Sequence, residues 1–119
     1  MTFVTHTRLR VSALALALAI GVPAAAAAQD AALVKKGQEL YAAQKCSVCH
    51  SIAGTGGKTS ALDGVGAKLS AADIRAWIVT PTEMTAKTKS DKKPPMPARW
   101  GKLPAADVDA LVAYMQSLK

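Results

Sequence analysis

The chain has 119 residues, enough for one small domain. Fifteen Lys and Arg against eight Asp and Glu give a formal net charge of +7, and half of the residues are hydrophobic but only 4% aromatic. So basic a chain invites a nucleic-acid reading, yet it lacks the aromatic positions on which bases stack, and a core drawn from one Phe, two Trp and two Tyr is thin.

The N-terminus reads MTFVTHTRLRVSALALALAIGVPAAAAAQDAA. Arg8 and Arg10 form a positive opening, Val11 to Ile20 an apolar stretch, Gly21 and Pro23 a break, and Ala26 and Ala28 small residues for cleavage. This is the layout of a secretory signal peptide over residues 1–28, leaving a domain at 29–119 and a periplasmic location. The competing reading is a retained membrane anchor over Val11 to Ala28, which requires the breaks to be ignored. Cleavage removes Arg8, Arg10 and no acid, so the charge falls by two units.

The spacing predicts a first helix over AALVKKGQELYAAQ, where Leu33, Gly37, Leu40, Tyr41 and Gln44 share a face. Asp30 suits its positive end and Lys45 its negative end. The glycines of SIAGTGGKTSALDGVGAKL predict loop and turns. A second helix is predicted over SAADIRAWIVTP, capped by Ser70 with Asp73 three residues on and stopped by Pro81. Its buried stripe is Ile74, Trp77 and Ile78. TEMTAKTKSDKKPPMPARWGKL reads as polar, lysine-rich chain, extended around its prolines. The last helix, PAADVDALVAYMQSLK, opens on Pro104 and presents Val108, Leu111, Val112, Met115 and Leu118 on one face. The expected architecture is all-α with long functional loops.

Both cysteines of the chain lie in one pentapeptide, Cys46-Ser47-Val48-Cys49-His50. Export favours disulfides, but a Cys-x-x-Cys bridge closes too small a loop to staple distant parts of a fold. Cys-x-x-Cys-His is the attachment signature of c-type haem. Cys46 and Cys49 become thioethers on two vinyl groups, and His50 brings its imidazole to the iron on the same face. A zinc site needs about four N or S ligands, and with His6 in the leader only three remain. A thioredoxin-like redox pair expects a βαβ context that the pattern does not offer.

The sixth ligand is sought among Met84, Met96 and Met115, because no second histidine follows the leader and lysine is protonated at neutral pH. Met115 falls on the apolar stripe of the last helix, and Met84 in a polar segment with nothing to hold it. Met96 stands between Pro95 and Pro97, which stiffen its loop, and is the assigned ligand.

Taken together, GQELYAAQKCSVCHSIAG, LDGVGAKLSAADIRAWIVTP, KPPMPARW and LPAADVDALVAYMQSL resemble the small class I cytochromes c of bacterial periplasms. The resemblance implies three or more helices wrapped around one covalently bound haem c, with the N- and C-terminal helices crossing at Gly37, Tyr41 and Tyr114. Trp77 matches a position whose indole approaches a haem propionate, with core packing as the equal alternative. The chain departs from the family in lacking Gly-Pro after the haem motif. The carbonyl that accepts a hydrogen bond from the proximal imidazole is then expected at Ser60 or Ala61.

With both axial positions filled by the chain, no site is left for oxygen or a small-molecule substrate. No catalytic residues are arranged, so the expectation is one-electron transfer and no enzyme activity. Lys45, Lys58, Lys87, Lys89, Lys92 and Lys93 suggest a basic rim that steers a monomeric carrier onto acidic redox partners. Two other readings stand beside it: a haem subunit held permanently by a periplasmic dehydrogenase, and a ligand-binding haem sensor with a weak Met96 bond.

Overall fold

The computed structural model describes residues 23–119, with side chains from Asp30 onward. The expected leader, residues 1–28, therefore lies for the most part outside the described residues. The fold is mostly helical: α1 Pro23–Ala43, α2 Val65–Lys68, α3 Ala71–Val79, α4 Pro81–Thr88 and α5 Ala105–Ser117. Short 3₁₀ turns occupy Cys46–Val48 and Ala98–Lys102. Among the described residues, no helix is long and apolar enough to cross a membrane.

α1 and α5 cross closely, and the contact is made possible by Gly37. A Cβ there would run into the Ala110 carbonyl and the Tyr114 side chain. Next to the crossing the Tyr41 ring meets Tyr114 edge-on, with centroids 5.7 Å apart and planes at 70°. Lys36 pairs with Asp107 at 2.6 Å across the same contact. α3 joins α5 from another side, through Ile74, Ile78, Val108 and Leu111 in one buried cluster and an Arg75–Asp109 ion pair at its edge. The apolar stripes read from α3 and α5 are thus the ones that pack, except that Trp77 stays half-buried.

Ser70 caps α3 as expected, accepting from the Asp73 amide at 3.1 Å. The short Asp73 carboxylate does not reach back to the backbone; it accepts from the Ser70 hydroxyl at 2.8 Å. α4 is a departure, because its residues read as polar chain. Pro81 ends α3 and also serves as the first helical residue of α4, where its missing N–H costs nothing. Glu83 in the first turn and Lys87 in the last complement the helix dipole. Met84, expected to be unheld, is 6% exposed beneath this helix.

The glycine-rich segment also contains a small sheet, ordered β2-β1-β3, from β1 His50–Ile52, β2 Thr55–Gly56 and β3 Ser60–Ala61. β2 runs antiparallel to β1 and β3 parallel to it, with His50 opposite Ser60. Strands of two or three residues carry no readable alternation; their pairing is a matter of backbone alone.

Replacing Gly37 by Ala should push α1 off α5 and lower the unfolding free energy by about 1–3 kcal/mol, despite alanine's better helix propensity. A guanidinium titration of the haem-loaded protein measures it, and an unchanged midpoint would refute the close crossing.

Candidate functional site

α1 ends at Ala43, and two residues on the backbone of Lys45 turns left-handed at φ 55° and ψ 36°. That reversal feeds the 3₁₀ turn, closed by the Val48 amide on the Lys45 carbonyl at 3.1 Å and the Cys49 amide on the Cys46 carbonyl at 3.3 Å. The turn brings Cys46, Cys49 and His50 to the wall of one cavity of about 530 Å³. Met96 reaches the same cavity from the proline-rich loop. All four residues selected from the sequence therefore share one enclosure, built otherwise by side chains such as Ile74, Ile78, Leu111 and Trp100.

The other two methionines separate. Met84 does not line this cavity, whereas Met115 does, from its place in the buried cluster of α5. Trp77 also faces the cavity, and so does Trp100, which sequence reasoning passed over. The Trp100 Nε1 is the one buried side-chain polar atom without a hydrogen-bond partner among the described residues. Arg99 stacks on that indole at 4.4 Å from the ring centroid.

His50 is held in a defined state. Its Nδ1 lies 3.1 Å from the Ser60 carbonyl, one of the two acceptors expected. A carbonyl can only accept, so Nδ1 carries the proton and Nε2 keeps its lone pair. Burial pushes the imidazole below its ordinary pKa, with the Ser60 bond acting in the opposite direction. The neutral ring is the form that binds metal. Burial likewise pushes the Cys46 thiol up, against smaller opposing contributions from its own backbone and Arg99.

The basic rim is partly as expected. Lys45 and Lys92 line the cavity, joined by Lys68 and Arg99, which the sequence reading did not select. Lys93 borders a second, shallower cleft beside Met96, while Lys58, Lys87 and Lys89 are exposed away from both. Lys68 lies in a stretch read as loop, and its position depends on α2.

The donor set discriminates among occupants. Two thiols, one neutral imidazole and one thioether, spread over a largely apolar cavity of cofactor size, fit a haem attached through sulfur. Among the described residues no three His, Cys, Asp or Glu side chains converge as a metal cluster would require. A search by protein family matches residues 34–119 to the family described as Cytochrome c. No curated protein and no solved structure matches the chain.

Proposed function

The chain belongs to the cytochrome c family, and from that premise we propose that it is a class I, monohaem electron carrier of a bacterial periplasm. Membership carries covalently attached haem c, electron transfer and redox partner proteins; Cys46 and Cys49 fit the attachment motif. In the proposed site His50 and Met96 would hold the haem iron, and Cys46 and Cys49 would tether the porphyrin. Bound there, haem c supplies a one-electron Fe(III)/Fe(II) couple whose potential is raised by a neutral thioether and by burial.

The observation that carries the reading is the meeting of Cys46, Cys49, His50 and Met96 on one cavity. Each does a distinct job. The two thiols tether, and the 3₁₀ turn sets their spacing. His50 offers Nε2 because Ser60 occupies Nδ1. Met96 needs no deprotonation and sits on a loop stiffened by Pro95 and Pro97. Met115 supports the wall from a helix already committed to the core, and Met84 is committed to the packing of α4. The cavity wall around the imidazole and the thioether is largely apolar.

The absorption spectrum of the haem-loaded protein tests the ligands. The ferric form should show the weak far-red sulfur-to-iron band. Met96→Ala should abolish it and Met84→Leu should keep it; loss in both, or in neither, removes Met96 from the role.

Docking is proposed to use the cations around the cavity mouth, Lys45, Lys68, Lys92 and Arg99, all exposed. Val48, 71% exposed, lines the same cavity and offers a partner an apolar contact besides these cations. Association with an acidic redox partner should slow steeply as salt rises, as stopped-flow electron transfer would report. A rate independent of ionic strength would leave the cations without a part.

The periplasmic location rests on the leader. Expression of the full chain in a host able to attach haem should yield an exported protein whose mass corresponds to residues 29–119 plus haem. A coloured product of full length in the membrane fraction would instead favour the anchor.

A further inference from the structure

The sequence assigns Tyr41 to the helix crossing, where an aromatic ring is all that packing requires. Its hydroxyl does something else. Tyr41 is 9% exposed, and its Oη donates to the His50 carbonyl at 3.1 Å. A hydroxyl brought into so buried a place is costly unless it is bonded, so a phenylalanine would satisfy the core more simply.

The peptide it holds is confined from several directions. The Cys49 carbonyl accepts from the Thr59 amide at 3.1 Å and the Ser60 amide at 3.2 Å. The His50 ring donates from Nδ1 to the Ser60 carbonyl at 3.1 Å. On the strand side, Gly56 has φ 119°, and a Cβ there would strike the His50 carbonyl. The carbonyl of His50 is therefore approached on one side by backbone alone and bonded by the Tyr41 hydroxyl from α1. Backbone and ring of the same residue are tied to different elements, α1 and β3.

We propose that Tyr41 is a positioning residue for the His50 imidazole, its hydroxyl coupling the orientation of that ring to the crossing of α1 on α5. The proposal rests on His50 being the iron ligand, as proposed above. Tyr41 acts through the His50 peptide and does not itself ligate. The linkage runs from the Ala110 contact at Gly37, through the Tyr41–Tyr114 edge contact, to the hydroxyl and the peptide of the ligand.

The test uses the haem-loaded protein. Tyr41→Phe keeps the ring and its contact with Tyr114, so haem attachment and the fold should persist. The His50 ring resonances, read by NMR in both redox states, should shift, and the reduction potential should move with them. Tyr114→Phe, which removes the other tyrosine hydroxyl of the chain, should leave both readouts in place. In a Tyr114→Phe background, 3-fluorotyrosine labels Tyr41 alone. As a stronger donor of nearly the same size, it should shift the His50 resonances in the sense opposite to Tyr41→Phe. Identical His50 resonances and potential in the wild type and Tyr41→Phe would overturn the proposal, even if the unfolding midpoint fell. If the wild type shows no iron-shifted His50 resonances, the ligand assignment itself fails and takes this proposal with it, an outcome visible before any variant is made.

Discussion

The fold is organised around a space its own side chains do not fill. The space is about 530 Å³ and opens at a mouth lined by exposed cations, so its largely apolar walls face water unless a group occupies it. The described chain contains no phenylalanine, and its two tryptophans stand in the wall of the cavity. Each of α1, α3, α4 and α5 contributes residues to that wall, together with the haem-motif turn and the proline loop. Folding and occupation are thus linked: a group that binds only the closed arrangement adds its binding free energy to the stability of the fold. A small domain with a thin core gains its centre from outside the polypeptide.

That dependence explains how local chemistry and global packing share residues. Tyr41 packs against Tyr114 with its ring and bonds the His50 peptide with its hydroxyl. Its own hydroxyl is held un-ionised, pushed up to about 12, chiefly by burial. Met115 is both a core residue and part of the cavity wall. Cations, by contrast, are kept at the mouth, where water still reaches them and long-range attraction survives without desolvation.

Much of this was legible because the decisive signals are strong and local. The pentapeptide carries its chemistry in its spacing. The stripes at Ile74 and Ile78 and at Val108, Leu111, Val112 and Met115 carry theirs in a period that a helix must obey. The Ser60 carbonyl was reached without the usual glycine and proline, because any backbone carbonyl at that height can accept from the imidazole. What escaped had weak or non-local signals. α4 buries only Pro81 and Met84, too little for a periodic pattern, although its proline and end charges were readable. The sheet consists of backbone pairing over two or three residues. The hydroxyl of Tyr41 finds its acceptor nine positions away only after the chain has turned at Lys45. Lys68 and Arg99 come to the cavity through α2 and the second 3₁₀ turn, and neither element announces itself in composition.

α5 is fastened along its whole length. Asp107 and Asp109 engage Lys36 and Arg75, and beyond them the Gln116 amide donates to the Leu69 carbonyl and the Gly66 amide to the Leu118 carbonyl. These partners were all synthesised earlier, the first of them some seventy residues before. α1 therefore cannot meet its mate until α5 has been made. Contacts so distant along the chain assemble late, which leaves Cys46 and Cys49 accessible for joining to porphyrin until α1 and α5 have met.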